Sequence, residues 1–438
     1  MEVRPFKAFR FDAGIVGDVG SCISPPYDVI SPAQQQQLYK KNKYNIVRII
    51  KGKTTPADNG DNNQYTRAAD YLKTWIENGV LKQDSAEAIY AYIQDFEVAG
   101  SRFQRSSFIA LARLEEFGPS GHVKPHEQTL DEPKIDRLNL KRATATEFGL
   151  VFMLYEDRRK IADEIVEDAA TEQPLIDYTD EQNVRHRLFA VTAGDSIRAI
   201  IEMMADKDCI IADGHHRYET ALNYYRETNN HSDRYLMTAF VNILSEGLTI
   251  LATHRLVDNL ENLQFGKLIK DLKENFDITE FRFGSPGAKA DAREKMSATM
   301  ERVHSRNRNA FGIYGGDGSF YVAVLKDKQA MDSVAAGMSS AWKSLDVSVL
   351  HKLVLEKLLG IGQLELARGG YIEYVKDTGN AIDELVAGVD TGVKQIAFFV
   401  NPPKMQQLVM VTDAGEKMPQ KSTYFYPKMN TGLTINKL

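Results

Sequence analysis

The stretch Cys209-Ile210-Ile211-Ala212-Asp213-Gly214-His215-His216-Arg217-Tyr218-Glu219-Thr220-Ala221-Leu222 constrains this chain more than any other. Its first four residues are an apolar run of strand length. Asp213-Gly214 turns the chain, and a helix is predicted to open at once on His215, His216 and Arg217. Apolar strand, tight turn and helix in direct succession fit an α+β or mixed α/β fold. A helix start carries unpaired N–H groups and the positive end of the peptide dipoles, so it attracts anions. Arg217 adds a planar donor fork suited to phosphate oxygens. The segment therefore reads as a phosphate site, with Gly214, His215 and Arg217 as binding residues. Asp213 and His216 are candidate catalytic groups, and Asp213 is also a candidate Mg²⁺ ligand, because magnesium keeps most of its waters and takes few protein ligands. The plainer reading makes Asp213 an N-capping residue and both histidines surface residues.

A chain of 438 residues with 43% hydrophobic and 26% charged residues is ordinary for a globular protein of two or three domains. The net charge of −6 argues against a general nucleic-acid binder. Two cysteines, Cys22 and Cys209, lie far apart with no paired spacing. They support neither a zinc site nor a disulfide framework, and a reducing cytoplasm is the compartment expected. No signal core and no membrane-length apolar run is present in the sequence. Nothing in the motifs calls for haem or flavin, and the oligomeric state is left open.

Four regions are expected. Residues 1–85 read as a capping segment packed on a core. Within it, Ser31-Pro32 is a helix start leading to Ala33–Lys41, and Tyr65–Asn78 is an amphipathic helix. Residues 86–258 form the core, with strands at Ala88–Glu97, Ser107–Leu114, Phe148–Tyr155, His186–Thr192 and Arg234–Leu244, and with Thr249–Thr253 extending the sheet. Residues 259–400 form an additional α/β domain. Here Ser285–Lys289 is read as a turn before a helix, Ala310–Tyr314 and Phe320–Leu325 as strands, Asp346–Leu359 as one helix and Ile396–Val400 as a last strand. Residues 401–438 are aromatic and basic, and are expected to return to the site.

Three further clusters could carry chemistry. Lys124-Pro125-His126-Glu127-Gln128-Thr129, with Lys134 and Asp136-Arg137 beyond it, offers a base and an orienting partner on a constrained loop. Its spacing is not that of a zinc protease, and the bland reading is a solvated loop. Lys421-Ser422-Thr423 supplies a cation and two hydroxyls, the groups that hold phosphates, without the context of a P-loop. Arg255, in Thr253-His254-Arg255, could add a second arginine, or could lie in a solvated pair at a strand end. Tyr27 and Asp28, in the proline-rich Ser24–Pro32, could line the same pocket, though three prolines there serve mainly to stiffen the chain.

These residues also carry a resemblance. PPYDVIS at Pro25–Ser31, PHEQT at Pro125–Thr129, IADGHHRYETA at Ile211–Ala221, THRLV at Thr253–Val257 and PQKSTYFYPK at Pro419–Lys428 resemble the bacterial family called domain of unknown function 1015, in order along the chain. The middle is similar to the ParB/sulfiredoxin-like superfamily, especially its free-serine kinases. That likeness implies a ParB/sulfiredoxin-like mixed sheet over 86–258. It implies phosphate on Gly214, His215, His216 and Arg217, and Glu127 as base toward a serine hydroxyl, with His126 orienting it. The function implied is phosphoryl transfer on a small hydroxy metabolite, serine or phosphoserine first, in the kinase or phosphatase direction. Lys421, Ser422, Thr423 and Arg255 would complete the anion cage, and a nucleotide or pyrophosphate with Mg²⁺ would be the partner. The interval from the His-Glu pair to the glycine-histidine-arginine segment is longer here than in those kinases. Two other readings stay open: a nucleotide-binding regulatory module without turnover, and a ParB-like nuclease.

Overall fold

A computed structural model describes residues 1–118, 121–129 and 131–438. The fold is mixed α/β, as expected, and divides into two compact units. The first holds residues 1–125, 129–249 and 427–438; the second holds 126–128 and 250–426. The first 85 residues thus share a unit with most of the expected core, and so does the end of the chain.

The first unit is built on one large sheet. Its strands are β1 (Ile89–Val98), β2 (Ser101–Arg113), β3 (Val123–Pro125), β4 (Val151–Tyr155), β5 (Ile176–Thr179), β6 (Arg185–Val191), β7 (Cys209–Asp213) and β8 (Tyr235–Asn242). The order is β3-β7-β4-β8-β2-β1-β6-β5, with Val3–Arg4 added beside β2. β7 runs parallel to β3, and β8 parallel to β4; the other pairs are antiparallel. β1 and β2 form the hairpin their alternation predicted, closing at Ala99-Gly100 with both residues in the left-handed region. β4 and β8 are buried along their whole length, as strands covered on both faces must be. Cys22 and Cys209 are free and buried, and burial pushes both thiols up to about 12, so neither is a nucleophile at neutral pH.

The helices of this unit follow local signals. Pro32–Lys41 begins on a Ser31 capping box with proline at its first position. α1 (Gln64–Glu77) is capped by Asn63 and turns Ala68, Leu72 and Trp75 inward. One helix was not expected. α2 (Asp131–Thr144) occupies the stretch read as a solvated loop around Lys134 and Asp136-Arg137. Its polar composition hid it, because among its described residues only Leu140 joins the apolar core. α3 (Gly194–Met204) leads into β7, and α4 (His215–Thr228) leaves it.

The second unit contains a six-stranded antiparallel sheet. Its strands are β9 (Thr253–Val257), β10 (Phe276–Arg282), β11 (Ala310–Tyr314), β12 (Ser319–Leu325), β13 (Ile372–Lys376) and β14 (Ile396–Val400), in the order β10-β12-β11-β14-β9-β13. Met296 and Met300 of helix Pro286–Ser305, and Leu385 and Val389 of helix Ala381–Asp390, cover it. Three expectations are corrected. Thr249–Leu251 does not extend the large sheet and belongs to a separate two-stranded ribbon. Ser285 to Lys289 is not a turn before a helix: Ser285 caps the helix, which starts at Pro286. Asp346–Leu359 is not one α-helix, since an α turn at Asp346–Val349 widens into π-helical winding at Leu350–Glu356. Leu350, His351, Leu353, Val354 and Leu355 are all buried there, so packing on several sides outweighs the regular hydrogen-bond ladder.

Candidate functional site

In the first unit, β7 delivers Asp213 to the edge of the core, and Gly214 turns the chain into α4. Gly214 caps the helix with φ +93°, a left-handed conformation that favours glycine. A Cβ at this position would also lie 3.1 Å from the Arg217 guanidinium, which folds back over the turn. A Cβ at Gly149 would lie 3.1 Å from Thr431 Oγ1, closer than ordinary contact, and 3.4 Å from Arg217 Nη1. Gly214→Ala is therefore expected to cost about 1–2 kcal/mol from the backbone alone, with a further loss from the displaced guanidinium. Denaturant unfolding of the two proteins measures it.

Asp213 does not cap the helix. Its Oδ2 accepts from Arg217 Nη2 at 2.6 Å and its Oδ1 accepts from Lys428 Nζ. Burial pushes the Asp213 carboxyl up, but Lys428, Arg217 and His215 outweigh it and hold the group well below the usual carboxylate range. Both carboxylate oxygens are committed to cations, which does not fit the expected Mg²⁺ ligand. Among the described residues no group of three His, Cys, Asp or Glu side chains could hold a metal ion. Arg217 Nη1 also donates to the Leu150 carbonyl, which fixes the guanidinium plane. His215 is buried and His216 half-buried in the first turn of α4.

A pocket opens beside Arg217. It encloses about 570 Å³, open solvent at its mouth included. Tyr27 lines it with Arg217, Arg137, Lys141 and Glu147, and Leu140 and Phe148 give it an apolar wall. Burial, with Asp28 nearby, pushes the Tyr27 phenol up to about 12, so it stays a neutral hydrogen-bonding group. The Arg137 guanidinium stacks 4.0 Å from the Tyr27 ring centroid and pairs with Asp136. Lys141 pairs with the buried Glu147 at 2.7 Å. Asp28 is exposed and is not among the lining residues. Behind the cluster, Arg105 is fully buried and donates to Gln94 and to the Pro427 carbonyl. Gln94 in turn donates to the carbonyl of Lys428 at 3.0 Å, so β1 and β2 set the position of that lysine.

The second unit gathers the remaining candidates. His126 is buried, and its Nε2 lies 2.7 Å from Thr423 Oγ1. Glu127 Oε1 accepts from the Lys421 N–H at 3.2 Å. Ser422 is buried and donates to the Pro419 carbonyl at 2.5 Å. Arg255 is neither solvated nor at a strand end. It sits inside β9, fully buried, with Nη2 on the Lys421 carbonyl at 3.2 Å, Nη1 on the Thr253 carbonyl and its guanidinium 5.3 Å from the Tyr374 ring. Burial pushes it down to about 10, so it remains charged at neutral pH. The His-Glu pair and the Lys-Ser-Thr segment, 294 residues apart at the Glu127–Lys421 contact, are thus brought together within one unit.

A family model described as "Protein of unknown function (DUF1015)" matches residues 3–348. The chain belongs to this family. No curated protein matches it significantly. Among solved structures, a conserved hypothetical protein from Pyrococcus furiosus is 14% identical, covering 70% of this chain and 89% of its own, at a TM-score of 0.32. A free serine kinase in complex with AMP is 14% identical over 69% of this chain and 83% of its own, at 0.32. SbnI with a C-terminal truncation, from Staphylococcus aureus, is 9% identical over 75% and 87%, at 0.34. No helix among the described residues of this family member is long and apolar enough to cross a membrane.

Two residues of this candidate site in the DUF1015 protein, Lys428 and Lys141, were given no role from the sequence, and Arg137 was named only as part of the polar stretch after the His-Glu pair. Lys428 closes the PQKSTYFYPK segment, and two cations for one aspartate would have been the signal to seek. Arg137 and Lys141 are four apart on one helix face. An Asp-Glu-Pro start at 131–133 is an N-terminal helix signature that would have revealed that face.

Proposed function

We propose that this protein transfers a phosphoryl group to or from a small hydroxy metabolite, serine or phosphoserine first, with the phosphate held in the pocket beside Arg217. One observation carries the reading. A single buried carboxylate, Asp213, is shared by two cations, Arg217 and Lys428, at the N-terminus of a helix. Two cations converge there on one carboxylate, at a helix start whose N–H groups and dipole favour an anion. The other pocket charges cancel in pairs, Arg137 with Asp136 and Lys141 with Glu147.

In this reading Arg217 and the amides of Gly214, His215 and His216 hold the phosphate. Asp213 and Lys428 orient Arg217, and Tyr27 with Arg137 bounds the substrate. Charge neutralisation and positioning would supply most of the catalysis, as phosphoryl transfer needs little else from a protein. For Glu127 as base, the support is the resemblance to free-serine kinases, in which the glutamate of the His-Glu pair has that role. A nucleotide or pyrophosphate is the proposed donor, and a phosphorylated small metabolite the proposed partner.

The test is thermal unfolding with ATP, ADP, pyrophosphate, serine and phosphoserine, followed by turnover with whichever ligands stabilise the fold. A ligand at a hundred times its Kd adds about 2.7 kcal/mol to apparent stability, which a melting curve resolves. Stabilisation with turnover is the expected result, and stabilisation without it would favour a regulatory module. If Glu127→Gln and Arg217→Ala both kept full activity, the reading would be wrong.

A further inference from the structure

The Lys421-Ser422-Thr423 turn has two hydroxyls with different surroundings. Ser422 Oγ is buried and donates to the Pro419 carbonyl, so its proton is committed to the turn. Thr423 is half-buried, and its Oγ1 lies 2.7 Å from His126 Nε2. A hydroxyl within hydrogen-bond reach of an imidazole is the arrangement of an activated nucleophile.

Both partners are held in place. The His126 carbonyl accepts from the Met418 N–H at 2.8 Å, and the ring meets Phe425 edge-on with centroids 6.1 Å apart. Lys421 has a φ of +54°, a left-handed residue that makes the turn sharp. Its N–H is tied to Glu127 Oε1 and its carbonyl to Arg255 Nη2. Arg255 thereby brings a fixed, fully buried cation to this turn, and among the described residues its Nε has no hydrogen-bond partner. The exposed Lys421 is a second positive residue in the same turn.

We propose that Thr423 is itself a phosphoryl acceptor, with His126 as its base and a phosphoric anhydride, a nucleoside triphosphate or pyrophosphate, as donor. With the ring proton on Nδ1, Nε2 takes the hydroxyl proton while Thr423 Oγ1 attacks the terminal phosphorus. The Oγ1–P bond forms and the bridging P–O bond breaks. The nucleoside diphosphate or phosphate leaves with the electron pair, and no atom changes oxidation state. The product is a phosphothreonine in a turn that carries Lys421 and is anchored by Arg255. The step deepens the proposed function and rests on its claim that this protein handles phosphoryl groups.

The full chain is incubated with Mg²⁺ and either ATP or pyrophosphate, then read by intact mass and peptide mapping. The expected result is one added phosphoryl group on Thr423, with the anhydride that labels it identified as the donor. Thr423→Val removes the label, and Thr423→Ser restores it on the serine. His126→Gln slows labelling by roughly 10²–10⁴-fold, the usual worth of a positioned base. Because His126 is buried, the near-isosteric Thr423→Val carries the test if His126→Gln does not fold. No label with either donor, or a label that persists in Thr423→Val, would overturn the proposal. No label with either donor in a chain that turns over serine would overturn this proposal and leave the Arg217 pocket reading standing. A labelled Thr423 in a chain that never turns over serine would keep this proposal and sink the serine reading.

Discussion

Arg217→Ala is expected to lower kcat/KM for the proposed serine or phosphoserine reaction by roughly 10²–10³-fold, the range seen when one preorganised donor to a developing anion is removed. The guanidinium is fixed by three features: Asp213 Oδ2, the Leu150 carbonyl and the bare face of Gly214. A donor held this firmly needs no rearrangement when charge develops on a phosphate. Arg217→Lys should recover little, because an ammonium cannot span Asp213 and Leu150 while also presenting a planar fork. Initial rates across substrate concentrations, with circular dichroism to show that the variants are folded, measure the effect. Equal rates for wild type and Arg217→Ala would remove Arg217 from the reaction.

Lys428→Met is expected to destabilise the protein by about 1–3 kcal/mol, less than the cost of leaving a buried charge with no partner, because Arg217 still pairs with Asp213. Asp213 and Lys428 side chains are each only 14% exposed, so water does little to replace the lost partner. The effect has a predictable pH dependence. A carboxylate whose folded pKa is depressed stabilises the fold above its unfolded value, about 3.9. That stability is lost as pH falls through the folded value. The difference between wild type and Lys428→Met should therefore be flat near neutrality and shrink only below about pH 3.9. Urea unfolding at neutral pH and at the lowest pH where both proteins remain folded tests this. A deficit that vanished already at pH 6 would mean that the lysine acts through some other group.

The sequence was most legible where one local signal decides a structure. Ser31-Pro32, the β1–β2 hairpin and the Cys209–Arg217 strand, turn and helix could all be read from caps, alternation and turn residues. It was least legible where a partner lies far away. Asp213 looks like a capping residue, and only its bond to Lys428, 215 positions later, shows it to be an ion-pair centre. Arg255 looks like a strand-end cation, yet the sheet buries it completely. α2 was missed because its inward face presents Arg137 and Lys141 to a pocket rather than leucines to a core, so hydrophobic periodicity had little to register.

Residues 427–438 belong to the same compact unit as residues 1–125, while residues 250–426 belong to the other. During synthesis, the first unit's sheet strands all leave the ribosome long before Lys428 does. Domains generally fold as they emerge, N-terminal parts first. Until residues 427 and 428 appear, Asp213 lacks Lys428 and Arg105 lacks the Pro427 carbonyl. A nascent chain stalled between residues 243 and 426 would therefore have every strand of the large sheet but lack the lysine that pairs with Asp213.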